Sequence, residues 1–138
     1  MRRINSIVIH CTDSDIDSHD EDLLNVVTKW HVEERGWRDV GYHYLIHGNG
    51  SIEIGRPIWL QGAHAKDFNA WSVGIALHGI KVFSKLQMQS VKKLVLNLLA
   101  MYNLTADNVY GHYEIKSALG KTCPNIDMDE FRKNLKEI

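Results

Sequence analysis

Eight histidines in 138 residues is a rich supply. Five of them, His10, His43, His47, His78 and His112, fall in or just after segments that read as β-strands, where a stiff backbone can aim a side chain. Imidazole and thiolate together suit a borderline metal, so His10, His112 and Cys123 make a chemically sensible zinc set, three protein ligands with a fourth position left for water. Their spacing matches no short zinc motif. The competing reading is of buried, hydrogen-bonded histidines and a small apolar cysteine. The stretch GHYEIKSALGKTCPNID, residues 111–127, holds two of these three side chains and is short of core-forming residues, which favours chemistry over packing.

Other polar residues bear on the same question. Lys121 lies two positions before Cys123 and could project into the same cleft, although a lysine taken alone reads as solvated. Tyr42, in GYHY, is either a half-buried strand aromatic or a phenol that hydrogen-bonds a reacting group. The segment HAKDFNAWSVG, residues 64–74, brings His64, Asn69 and Ser72 together as a polar rim for a groove, or else as a loop tied by local turn bonds. Cys11 follows His10 directly. Neighbours in a continuing strand point to opposite faces, so Cys11 reads as a packed thiol and not as a further ligand.

These residues need elements to hold them. INSIVIHC, residues 4–11, reads as a buried strand with Ile7 and Ile9 on one face and Val8 and His10 on the other. Ser18 and Glu21 make a capping box that opens a helix running to about Arg35, with Leu23, Val26, Val27, Trp30 and His31 as its stripe and Gly36 placed to end it. YHYLIHGNGSIEIGR, residues 42–56, reads as a hairpin turning on Asn49-Gly50. SVGIALHG, residues 72–79, is a strand in which Val73, Ile75 and Leu77 alternate with small residues. Ser84 and Gln87 form a second capping box before a long helix whose Val91, Leu94, Val95, Leu98 and Tyr102 share a face. Asp127 caps a short last helix containing Phe131 and Leu135. The order predicts an α/β fold: a single domain, residues 1–138, with a central mixed β-sheet flanked by helices.

Composition narrows the class. A chain of this length with 44% hydrophobic residues supports one core. Sixteen basic and seventeen acidic residues leave a net charge of −1 and no basic run to track a phosphate backbone, so nucleic acid is not expected as a ligand. The apolar run after the two N-terminal arginines is too short for a signal-peptide core or a membrane span, which predicts cytoplasmic synthesis. A monomer is expected. Two cysteines do not make a disulfide framework.

Four segments, VIHCTDSD, KWHVEERGWRDVGYHYLIHGNGSIEIGRP, GAHAKDFNAWSVGIALHG and GHYEIKSALGKTCPNIDM, resemble in that order the type 2 N-acetylmuramoyl-L-alanine amidase family, which includes phage lysozymes of the T7 type and shares its fold with the peptidoglycan recognition proteins. The resemblance spans roughly residues 7–128. It implies one Zn2+ held by His10, His112 and Cys123, catalytic roles for Tyr42 and Lys121, and hydrolysis of the bond between N-acetylmuramic acid and L-alanine in peptidoglycan. His64, Asn69 and Ser72 are the expected contacts to the muramyl-peptide stem. A phage or prophage endolysin of this kind acts on the cell wall after release through a membrane lesion. Resemblance to the phage branch also raises a phage RNA polymerase as an intracellular partner, to which these residues add nothing. Two departures stand out. The interval from His112 to Cys123 is longer than in the T7-like pattern, around Ser117 to Gly120, and Ala76 stands where the cytoplasmic recycling amidases carry a glutamate. Two other readings stand beside it: a peptidoglycan-binding module without catalysis, against which Cys123, Tyr42 and Lys121 argue, and a four-ligand structural zinc protein, which would need Cys11 or another histidine to close the shell.

Overall fold

A computed structural model describes residues 2–13, 27, 41–118 and 120–136. Five strands form one sheet in the order β3-β2-β4-β1-β5: β1 Ser6–Cys11, β2 Tyr44–Ile46, β3 Ile52–Ile54, β4 Ser72–Leu77 and β5 Val109–Gly111. The pairs β1 with β4, β1 with β5 and β2 with β4 are parallel, and β2 with β3 is antiparallel, which makes the sheet mixed. The two central strands are buried along their whole length, as strands covered on both faces must be.

The period of two separates a structural face from a chemical one. Ile7 and Ile9 of β1 join Val73, Ile75 and Leu77 of β4 in the main core, and both described helices pack there. Helix α1, Lys85–Tyr102, buries Val91, Val95, Leu98 and Leu99, with Leu94 and Tyr102 partly buried beside them. Helix α2, Met128–Lys136, contributes Met128, Phe131 and Leu135. Val8 turns to the opposite face, where a second cluster of Val8, Ala65, Ile115 and Ala118 supports the loops. His10 shares that side chain direction.

The two expected caps that fall among the described residues both form. Ser84 Oγ accepts the Gln87 N–H at 3.0 Å while Gln87 Oε1 accepts the Ser84 N–H at 3.2 Å. The buried Gln87 amide also donates to the carbonyls of Ile46 and His78, fixing α1 against the ends of β2 and β4. Asp127 Oδ1 accepts the Glu130 N–H at 3.1 Å and so caps α2. The hairpin departs in detail from a two-residue Asn-Gly turn. His47 O accepts from Gly50 N–H and Ser51 O from His47 N–H, so the loop spans three residues and Gly50, at φ +89°, supplies the left-handed position that twists the strands. Strand β5 agrees with the reading that His112 follows a strand, although no bounds were set for it, since VYG is too short for alternation to show. The helix expected between Ser18 and Arg35 lies outside the described residues except for Val27, which is helical and buried against Leu45 and Ala76. No helix among the described residues is long and apolar enough to cross a membrane.

Candidate metal centre and groove

Strand register does most of the assembly. Ile9 pairs with Gly111, so the next residues along the two parallel strands, His10 and His112, emerge side by side with ring centroids 4.4 Å apart. Cys123 is brought in by two bonds to the backbone: Tyr113 N–H donates to Cys123 O at 2.8 Å, and Cys11 N–H donates to Cys123 Sγ at 3.1 Å. One ligand atom from each of His10, His112 and Cys123 then lies within 4.8 Å of the others, the group among the described residues that could hold a metal ion. Zinc bonds of about 2.0–2.3 Å set ligand atoms roughly 3.5 Å apart, so side-chain shifts of about 1 Å complete the set. Two imidazoles and a thiolate are the donors such an ion prefers.

The turn bearing His112 is braced from behind. Glu114 accepts the Gly111 N–H at 2.8 Å and takes both guanidinium arms of Arg132 on α2, at 2.7 and 2.8 Å. Burial works to raise the Glu114 carboxyl, but the bonds from Arg132 and Gly111 outweigh it and hold the group below its usual range. Arg132 also donates to Val109 O, which ties α2 to β5 directly.

Electrostatics favour a neutral imidazole at His112. Burial and the nearby Lys121 ammonium lower His112 to about 4, so at neutral pH the ring offers a lone pair. Cys123 behaves oppositely: the hydrogen-bonded Cys11 thiol and burial push it up. Without a cation it is a thiol, and the Cys11 N–H is positioned to stabilise the thiolate that a cation would draw out. Cys11 is buried, as expected of a packed thiol, yet it also lies against Cys123 and accepts a weak bond from Asn125.

A groove of about 770 Å³ opens over this cluster. Tyr42, His64, Asn69 and Lys121 line it with the three potential ligands, and the Tyr42 ring centroid is 5.3 Å from that of His10. Residues not singled out in the sequence line it too, among them Asp13, Lys66, Ser117 and Asn125. Asp13, Asp67 and Asn125 adopt left-handed backbone, a sparsely populated conformation that collects around functional grooves. Ser72 does not line the groove, contrary to the expectation of a substrate contact: it is fully buried, with its hydroxyl donating to Phe68 O at 2.7 Å. Asn69 spends Oδ1 on the N–H groups of His64 and Ala65, 2.9 Å each, and remains at the groove wall. His64 reaches the groove with little exposed surface, since its ring bonds inward to His10 and Ser72.

The chain matches the family described as N-acetylmuramoyl-L-alanine amidase over residues 1–126. It belongs to the N-acetylmuramoyl-L-alanine amidase family. The amidase is 35% identical over 113 residues to the endolysin of Escherichia phage T7, covering 76% of this chain and 71% of the relative. Among solved structures, the N-acetylmuramoyl-L-alanine amidase LysC from Clostridium intestinale URNW superposes with a TM-score of 0.83 at 30% identity, over 98% of this chain and 87% of that one. Drosophila PGRP-LB follows the same fold with a TM-score of 0.77 at 27% identity, over 90% of this chain and 76% of that one. The fold of this amidase is therefore that of a known enzyme, with α1 and α2 on one face of the sheet and the groove on the opposite face.

Proposed function

We propose that this amidase is a phage-type endolysin that cleaves the N-acetylmuramoyl-L-alanine bond of bacterial peptidoglycan with one zinc ion held by His10, His112 and Cys123. The convergence of those three side chains at the floor of an open groove carries the reading. When bound, zinc supplies Lewis acidity, polarising a carbonyl and lowering the pKa of water from about 16 toward about 7.

The protein's own residues supply the rest. His10 and His112 would hold the ion through ring lone pairs, and the Cys11 N–H steadies the sulfur of Cys123. Lys121, close enough to His112 to lower its pKa, offers an ammonium where negative charge develops on the scissile carbonyl oxygen. One such donor contributes about 3–4 kcal/mol to transition-state stabilisation. The Tyr42 hydroxyl orients the attacking water beside His10. The groove accommodates the muramyl-peptide stem along Asn69 and the 64–67 wall.

A structural zinc role would need a closed shell, whereas this cluster faces a groove, and a binding module would have no use for Lys121 beside the ligands. The test is metal content with turnover on purified cell walls. About one zinc per chain, activity lost on chelation and restored by zinc, is the expected result. Soluble peptide released at an undiminished rate by fully chelated protein would reject the metal-dependent reading.

A further inference from the structure

His64 lies behind His10, and its hydrogen bonds fix where the protons are. The Ser72 hydroxyl has a single proton and gives it to Phe68 O at 2.7 Å. Toward His64 Nε2, 3.2 Å away, that hydroxyl therefore accepts, and Nε2 must carry the ring proton of His64. The neutral ring then has its lone pair on Nδ1, which faces His10 Nε2 at 2.9 Å. His10 Nε2 is the donor of that bond, and the lone pair of the neutral His10 ring belongs to Nδ1.

The position of the His64 ring is itself built in. A Cβ on Gly74, in the middle of β4, would lie 2.5 Å from His64 Cγ, and one on Gly62 would lie 2.6 Å from Cδ2. Two glycines thus leave the space that the ring occupies. Asn69 Oδ1 holds the His64 and Ala65 N–H groups at 2.9 Å, fixing the backbone that carries it. Phe68 O, Ser72, His64 and His10 form a directed series running from a backbone carbonyl to the metal cluster.

We propose that His64 is a positioning residue for the metal: by accepting the Nε2 proton of His10 it commits His10 Nδ1 to the ion, and Ser72 with Phe68 O holds His64 in the tautomer that can accept. The inference rests on His10 being a metal ligand, and it gives His64 and Ser72 a task other than contact with the peptide stem. Such outer partners orient a ligating imidazole, and their loss weakens metal binding about 10–100-fold.

Two measurements test it. Long-range proton–nitrogen NMR of the metal-free native chain reads ring tautomers directly and needs no variant. It should find Nε2 protonated in both His10 and His64; a proton on His10 Nδ1 overturns the proposal. Zinc affinity by chelator competition should fall about 10–100-fold in His64→Leu, while His64→Asn, whose Oδ1 stands near the place of Nδ1 and can accept the same proton, should stay within several-fold of native. Equal affinity of native and His64→Leu proteins overturns the role of His64 and leaves the zinc reading standing. A native chain that binds no zinc overturns the reading of His10 as a ligand, and the inference with it.

Discussion

Cys123 is the softest donor of the cluster and has no substitute at its position, because Cys11 offers it a backbone N–H at 3.1 Å and lies outside the ligand group. Cys123→Ala should therefore lose zinc and activity together. Cys11→Ala keeps the backbone donor and should retain both, as elemental analysis and wall digestion can show. Metal loss in the Cys11 variant alone would reverse the two roles. Tyr42 and Lys121 belong to turnover rather than ligation in the proposed mechanism, so Tyr42→Phe and Lys121→Ala should bind about one zinc and hydrolyse far more slowly. For Lys121 the loss of one charge-stabilising donor predicts a drop in kcat of about 100- to 1,000-fold. Near-native turnover on intact sacculi in either variant would remove that residue from the mechanism. The three side chains that converge could be picked out in the sequence because few residue types bind zinc. The task of His64 could not, since it depends on a serine hydroxyl and two missing side chains that meet only in the folded chain.

At the scale of elements, alternation along β1 assigned Ile7 and Ile9 to one face and His10 to the other, and the same alternation puts the main core and the His10–His112–Cys123 group on opposite sides of the sheet. Leu98, buried on α1, should accordingly be separable from the groove. Leu98→Ala should cost about 2–5 kcal/mol in urea unfolding and leave zinc affinity unchanged. A parallel fall in affinity would mean that the two faces are coupled. The capping box of Ser84 with Gln87 and the Asp127 cap were legible because their signal is local. The bounds of strand β5 were hidden for the opposite reason. Three residues, Val109–Gly111, owe their strand character to pairing with a distant β1, and nothing within VYG announces it. The hairpin was recognised, but which residue takes the left-handed position depends on the loop length that the flanking strands adopt.

Across the whole molecule, the buried histidines link folding to pH. Burial, against an opposing bond to Leu60 O, lowers His43 to about 4, and His64 is pushed well below its ordinary value, again chiefly by burial. The folded chain thus refuses protons that the unfolded chain takes up below about 6.5. The stability these groups provide is complete above that pH and declines as pH falls toward 4, by about 1.4 kcal/mol per pH unit for a fully buried group. Urea unfolding of metal-free protein should show a lower midpoint at pH 5 than at pH 7, and an equal or higher midpoint would contradict the buried neutral rings. The α/β class was legible from the order of elements. The parallel crossover that sets His112 beside His10 was not, because its partners are separated by most of the chain. What the assembled groove does is decided by the bond it cuts. Digestion of purified cell wall should release new N-terminal alanine amines in step with the fall in turbidity, without a matching rise in reducing sugars, and mass spectrometry should find stem peptides beginning at L-alanine. Reducing ends without new amines, or new amines on any other residue, would contradict the account.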